Sequence, residues 1–93
     1  MLFMNIYTFE PGQRDAIIKR RMEKGTLLSE GVKVVGEWTD LGGGRGFMVC
    51  EANDPKAIMT SAMKWDDLMK EEIIPLLDTT EIFPAEKGKG SKK

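Results

Sequence analysis

The chain has 93 residues, of which 41% are hydrophobic and 31% charged, and its formal net charge is −1. This length and composition indicate one globular domain with a small core. Because histidine is absent and Cys50 is the single cysteine, the sequence excludes an internal disulfide, a Cys–His nucleophile pair, a zinc site and haem held by an imidazole.

Location and partners follow from what the chain lacks. It has no N-terminal leader pattern and no stretch near the ~20 apolar residues that cross a bilayer, so we expect a cytoplasmic protein that does not bind membranes. The basic end, residues 86–93, is attached to an acidic body, and an acidic body repels a phosphate backbone. We therefore expect no nucleic-acid binding, and we expect no cofactor.

The first half of the chain predicts a strand and a helix. Met1 to Phe9 is apolar at both odd and even positions, which is typical of a strand covered on both faces. Pro11 and Gly12 end this strand. Residues 14–24 carry apolar side chains at helical spacing, and Gly25 is a natural stop.

A hairpin occupies the centre of the chain. The segments 32–40 and 45–52 are predicted strands, and the glycine-rich residues 41–44 form the turn between them. If Asp40 and Arg45 close that turn, Trp38 lies opposite Phe47 and Val34 lies opposite Glu51. The pattern does not predict a nucleotide loop, because the Gly-Lys-Ser/Thr ending is absent and a strand follows.

The second half predicts another helix and a last strand. Asp54 and Pro55 are typical of a helix start, and a helical stripe follows at Ile58, Ala62, Trp65 and Met69. Residues 73–83 are predicted as a strand, and Pro75 within it suits an edge strand or a strand start and not a central ladder position. The acidic residues 66, 67, 71 and 72 are interpreted as a solvated helix end. Residues 1–84 form the predicted domain, and residues 85–93 a disordered basic tail.

This order of elements predicts an α+β fold of ferredoxin-like β-α-β-β-α-β type, with a four-stranded antiparallel sheet. Both helices of that fold cover one face of the sheet. Because the first strand is apolar on its other face too, a monomer would expose more apolar surface than monomers usually tolerate. We therefore expect a homodimer in which two sheets pack face to face.

The chain resembles the dimeric α+β barrel superfamily, and more closely one of its small bacterial families known as a domain of unknown function. The resemblance covers about residues 1 to 84. It is carried by residues 1–4 (MLFM), 7–10 (YTFE), 36–40 (GEWTD), 44–47 (GRGF) and 51–57 (EANDPKA), and by Trp65 before Ile74 and Pro75. The superfamily includes cofactor-free monooxygenases, isomerases, haem-degrading enzymes and sensing domains, so the resemblance implies the barrel and leaves the activity open.

Two residues match functional positions of the monooxygenase and haem-degrading branches, which often place an asparagine on the first strand and a tryptophan on the second helix. Asn5 and Trp65 occupy those places. Haem degradation is rejected because the histidine has no counterpart. Packing alone also explains a buried tryptophan, and a hydrogen bond to a neighbouring group or to a water molecule explains a buried asparagine.

The sequence therefore predicts a homodimer that binds a small apolar, aromatic or acyl molecule in a cavity. The candidate lining residues are Asn5, Tyr7, Trp38, Arg45 and Trp65, with Arg45 available for a ligand carboxylate. One alternative is a cofactor-independent monooxygenase or isomerase that uses Asn5 and Trp65. Another is a structural or partner-binding dimer with a filled core.

Overall fold

The structure, a computed structural model, describes residues 1–83; the predicted tail, residues 85–93, lies outside the described residues. Within residues 1–83 there are four strands and three helices. The strands are β1 (Leu2–Thr8), β2 (Lys33–Thr39), β3 (Arg45–Glu51) and β4 (Lys70–Leu76). The helices are α1 (Arg14–Lys24), α2 (Pro55–Met63) and α3 (Thr79–Ile82), and one 3-10 turn (Pro11–Gln13) precedes α1.

The four strands form one antiparallel sheet with the order β2-β3-β1-β4. This order confirms the predicted fold class, since it is compatible with a ferredoxin-like α+β fold. Pro75 lies on the edge strand β4, as predicted, where its missing N–H leaves no gap in a central ladder. None of the helices in residues 1–83 is long and apolar enough to cross a membrane.

The two faces of the sheet differ in burial. Phe3 on β1 is opposite Cys50 on β3, and Asn5 is opposite Met48. Directly opposed residues share a face, and we call this face, which carries the buried residues Phe3, Met48 and Cys50, the inner face. The alternate residues form the outer face. Its apolar members are Leu2, Met4, Ile6, Trp38, Phe47, Val49, Ile74 and Leu76, and in the described chain none of them is buried.

Helix α1 begins and ends at the predicted residues. Gly25 follows it with a φ of 73°, in the left-handed region that glycine adopts without steric cost, and its N–H donates to the Arg21 carbonyl over 2.9 Å. None of the residues of α1, which the structure describes in full, is buried. Apolar packing therefore contributes little to the attachment of α1.

Helix α2 begins as predicted but is shorter than its apolar stripe. Asp54 accepts the Lys56 N–H over 2.9 Å at the helix start. The helix ends at Met63, so the prediction that Trp65 and Met69 belong to it is wrong. The Trp65 N–H bonds back to the Ala62 carbonyl over 3.0 Å, and such tight turns keep a side chain near the helical stripe after the helix has ended.

The last predicted strand is also placed differently. Strand β4 begins at Lys70 and ends at Leu76, whereas the prediction put the strand at residues 73–83. Residues 79–82 form α3, because the Asp78 carboxylate accepts the Thr80 N–H over 2.9 Å and starts a helical turn. The acidic residues 71 and 72 consequently lie on a strand and not at a helix end.

The central hairpin closes as predicted. The Asp40 N–H donates to the Arg45 carbonyl over 3.0 Å, and Trp38 lies opposite Phe47. The prediction that Val34 lies opposite Glu51 is wrong: its partner is Cys50, because a bulge between Val34 and Gly36 shifts the register.

Gly46 on β3 makes room for the phenol ring of Tyr7. A Cβ atom at position 46 would fall among the ring atoms of Tyr7, its partner on β1. Gly36 has the same relation to Trp38 on the outer face, but the Trp38 side chain is 55% exposed and free to swing away. The Tyr7 ring is therefore confined by its neighbours, and the Trp38 ring is not.

We expect Gly46→Ala to lower the free energy of unfolding by about 1–3 kcal/mol, because the added methyl group overpacks the inner face. The matched control, Gly36→Ala, should lower it by less than about 1 kcal/mol, in the range of ordinary surface changes. Urea denaturation followed by circular dichroism measures both values. Equal losses would contradict the difference in confinement.

Candidate functional site

A cavity of about 570 Å3 lies between the inner face of the sheet and the helices α1 and α2. Most of its wall is apolar. The principal apolar side chains are Phe3, Ile17, Leu28, Met48, Ile58 and Trp65. Volumes of about 300–1,000 Å3 are usual for small-molecule pockets, so the space accommodates a ligand of ordinary size.

Trp65 is held rigidly in this wall. Its side chain is 8% exposed, and its indole N–H donates to the Thr26 carbonyl over 2.9 Å. Leu27, the next residue, has a φ of 58°, which is uncommon for a residue with a side chain. The Arg20 guanidinium lies over the indole ring, 5.4 Å from its centre. A satisfied N–H leaves only the ring of Trp65 for contact with a ligand.

Arg20 also connects α1 to the turn after α2. Its guanidinium donates two hydrogen bonds to the Asp67 carboxylate, over 2.8 and 2.7 Å, and one to the Lys64 carbonyl over 2.8 Å. Hydrogen bonding from Arg20 lowers the pKa of Asp67. A planar guanidinium bound at two points fixes direction as well as distance.

A second set of charged side chains joins α1 to β2 beside the cavity. Arg21 donates to both carboxylate oxygens of Glu37, over 2.6 and 3.0 Å, and the Tyr7 hydroxyl donates to Glu37 Oε2 over 2.6 Å. The hydrogen bonds from Arg21, more than those from Tyr7, lower the pKa of Glu37 although burial opposes the shift. Burial and the Glu37 carboxylate raise the pKa of Tyr7. Glu37 is therefore ionised and Tyr7 protonated near neutral pH.

The third polar group is a pair formed by Asn5 on β1 and Glu71 on β4. The Asn5 Nδ2–H donates to Glu71 Oε1 over 2.6 Å. Burial, together with the negative charge of Asp66, raises the pKa of Glu71, and the Asn5 hydrogen bond opposes the shift. The other two oxygens, Asn5 Oδ1 and Glu71 Oε2, are buried and have no hydrogen-bond partner among residues 1–83.

The structure brings four of the five predicted site residues to one cavity. Asn5, Tyr7 and Trp65 contribute to its wall, and Arg45 contributes at the hairpin end. The Arg45 guanidinium is engaged elsewhere: it donates to the Asp40 carboxylate over 3.2 Å and lies over the Phe47 ring. Trp38 is on the outer face, paired with Phe47, and is not in the cavity wall.

Three polar residues of the wall that form hydrogen bonds there are not among the site residues predicted from the sequence. Arg21 and Glu37 have no local signal, because their pairing joins residues far apart in the chain. Glu71 has a signal: strand alternation from Ile73 places it on the inner face. The interpretation of Glu71 as part of a solvated helix end is wrong, since its side chain is half-buried and bonded to Asn5.

Other reactive groups in the described part of the chain are few. Cys50 is buried in the cavity wall, and burial raises the pKa of its thiol, so it is a poor nucleophile. Within residues 1–83, no group of three or more acidic or cysteine side chains is arranged to hold a metal ion. The charged groups of the cavity wall are therefore those of the Arg21–Glu37 and Asn5–Glu71 groups and, at the hairpin end, Arg14, Asp40 and Arg45.

Comparison with known proteins gives one match. Residues 1–90 match a family described as a domain of unknown function, DUF3303. The chain belongs to the DUF3303 family. No curated protein and no solved structure matches the chain. This DUF3303 domain thus has an assigned family without an assigned activity, and its membership of the dimeric α+β barrel superfamily stays a prediction.

The raised pKa of Glu71 predicts a pH-dependent stability difference between the natural protein and Glu71→Gln. A raised pKa means that the folded state holds the proton more tightly than the unfolded chain. The Glu71 contribution is therefore fully present below the ordinary carboxyl pKa and is lost as pH rises through the raised value. We expect equal melting temperatures at low pH and a more stable Glu71→Gln variant at high pH.

The control is Glu72→Gln, because this substitution removes the same charge from a residue on the outer face. Melting curves at several pH values compare the two variants with the natural protein. A Glu71→Gln difference that is constant with pH, or equal to that of Glu72→Gln, would contradict the burial of Glu71 as the cause.

Proposed function

We propose that this DUF3303 domain binds a small, mainly apolar molecule in the cavity between the sheet and α1. The observation that carries the proposal is the apolar space of about 570 Å3 in a domain of this size. The space is partly open to solvent and lined mainly by apolar side chains, with a few polar groups among them. Concave, mostly apolar sites of this kind are where proteins usually bind small molecules.

The exposure of apolar side chains on α1 supports this proposal. Ile18 and Met22 contribute to the cavity wall, yet their side chains are 51% and 81% exposed. Each buried apolar side chain contributes roughly 1.5–3 kcal/mol relative to an exposed one. A ligand under α1 would cover part of this surface, and the arginine pairs would hold the helix above it.

Filling the cavity tests the proposal. Ala62 on α2 contributes to the wall, and Ala62→Phe places a ring in the space. We expect the natural protein to bind the neutral probe N-phenyl-1-naphthylamine with increased fluorescence, and the variant to bind it at least tenfold more weakly. The matched control is Ala16→Phe on α1, since Ala16 is exposed and outside the wall.

Two results would contradict cavity binding. One is a probe that binds Ala62→Phe as tightly as the natural protein. The other is the absence of probe binding to the natural protein. Native mass spectrometry of freshly purified protein adds an independent reading, because a retained small molecule adds a defined mass.

We also propose that the domain is a homodimer joined through the outer face. The apolar side chains of Met4 on β1, Val49 on β3 and Ile74 on β4 are adjacent in the register, and each is only half-buried in one chain. Charged residues border this patch, and at one end Lys33 on β2 lies opposite Glu51 on β3 in the strand register. A self-complementary apolar patch with a charged rim suits a two-fold contact.

We expect Val49→Lys to convert the dimer into a folded monomer, because a lysine at the centre of the patch would bury an unpaired charge. Light scattering coupled to size-exclusion chromatography measures the mass, and circular dichroism checks the fold. Met59→Lys is the control, since Met59 is exposed on α2 in the helical layer. A natural protein that is monomeric at micromolar concentration would refute the dimer.

The remaining sequence predictions stay predictions. A monooxygenase or isomerase activity would use Asn5, but its amide nitrogen is already committed to Glu71. Arg45 is engaged by Asp40, which disfavours a ligand carboxylate at that position. The cytoplasmic location and the absence of nucleic-acid and membrane partners are expectations from composition.

A further inference from the structure

We propose that Glu71 carries a proton in the folded protein at neutral pH, that its Oε2–H donates to Asn5 Oδ1, and that the cavity consequently binds uncharged molecules. The statement about the ligand rests on the proposed function. The statement about the proton stands on the geometry of Asn5 and Glu71 alone.

The two oxygens without partners belong to side chains that are already joined. Asn5 Nδ2–H donates to Glu71 Oε1 over 2.6 Å, and the oxygens without partners, Asn5 Oδ1 and Glu71 Oε2, are the second polar atoms of the same amide and the same carboxyl group. Both remaining oxygens are acceptors when Glu71 is ionised, and both are buried. A buried acceptor without a donor costs about 1–3 kcal/mol.

One proton satisfies both oxygens at once. A protonated carboxyl has a donor and an acceptor, and a primary amide has the complementary donor and acceptor. The pair then forms a closed ring with two hydrogen bonds, Asn5 Nδ2–H to Glu71 Oε1 and Glu71 Oε2–H to Asn5 Oδ1. Ionisation of Glu71 would remove the second bond and leave two oxygen lone pairs facing each other.

The surrounding charges favour the neutral form. Asp66, in the turn after α2, repels a negative charge at Glu71. The Tyr7 hydroxyl, from the neighbouring strand, is committed to Glu37, and so is the Arg21 guanidinium from α1. Within residues 1–83, no lysine or arginine is within ion-pair distance of Glu71.

The other charged groups of the cavity wall are at the hairpin end. Asp40 pairs with Arg45, and the guanidinium of Arg14 approaches the backbone at Gly43. Arg21 pairs with Glu37, and Arg14 is exposed to solvent. A proton on Glu71 therefore leaves the part of the wall around Asn5 and Glu71 without a charge. A charged ligand would lose its hydration there without gaining an ionic partner, which opposes binding of ammonium and carboxylate groups alike.

Carbon-13 NMR of the glutamate side-chain carboxyl groups tests the proton directly. The signal that is missing from the spectrum of Glu71→Gln belongs to Glu71. At pH 7 we expect this signal at the position of a protonated carboxyl, and we expect the signal missing from Glu72→Gln at the position of a carboxylate. A Glu71 signal at the carboxylate position would overturn the proposal.

Three probes of matched shape test the ligand: 4-phenylbutanol, 4-phenylbutylammonium and 4-phenylbutanoate. Calorimetry at pH 7 should give the alcohol an affinity about tenfold higher than that of either ion, which corresponds to about 1.4 kcal/mol. Glu71→Gln should keep this order at every pH, because an amide at position 71 reproduces the pairing with Asn5. In the natural protein the preference over the ammonium probe should disappear at high pH, where Glu71 ionises.

The outcomes separate the two proposals. If the ammonium probe binds as tightly as the alcohol at pH 7, and Glu71→Gln weakens it, Glu71 is an ionised ligand-binding group and the inference is overturned. If no probe binds and N-phenyl-1-naphthylamine also fails to bind, the proposed cavity function is overturned. The NMR position of the Glu71 carboxyl still decides the proton in that case.

Discussion

The attachment of α1 by arginine pairs is the constraint on which the rest of the structure depends. Arg20 binds Asp67 after α2, and Arg21 binds Glu37 on β2, so two adjacent residues of one helix connect both sides of the cavity. Such pairs fix orientation but do not fill space. Because none of the described residues of α1 is buried, the helix spans the sheet and leaves the volume under it open.

Polar side chains in an apolar wall are stable only when each finds a partner. The cavity meets this condition with two clusters on opposite sides of β1: Tyr7, Glu37 and Arg21 on one side, and Asn5 and Glu71 on the other. In the first cluster the charges of Arg21 and Glu37 compensate each other. In the second, a proton on Glu71 would give every buried polar atom of Asn5 and Glu71 a hydrogen-bond partner. Both clusters depend on β1 being central in the sheet, with a neighbour on each side.

The outer face poses the opposite problem. Its apolar side chains are half-buried in one chain, except for Trp38, which is exposed, and no property of the single fold requires that surface to be apolar. A second copy would cover it without altering the cavity, because the two faces of the sheet are separated by the backbone. Ligand binding and dimer formation are therefore independent proposals, each with its own variant.

Local signals in the sequence determined most of the elements. The bounds of α1, the closure of the hairpin between Asp40 and Arg45, and the start of α2 at Asp54 all follow from caps, glycines and apolar spacing. These features depend on residues close together in the chain. The placement of Asn5 and Tyr7 on one face follows in the same way, from the two-residue period of a strand.

Tertiary contacts decided the rest. The bulge beside Val34 set the β2 register. Tight turns ended α2 before Trp65. The hydrogen bond from its indole N–H to the Thr26 carbonyl holds the side chain in the cavity wall. Strand alternation from Ile73 indicates the face of Glu71 only when β4 is known to begin at Lys70, and its position in the cavity also required the pairing of β4 with β1. The partner of Glu71 is Asn5, 66 positions away in the chain, and interactions across such separations leave no local pattern in the sequence.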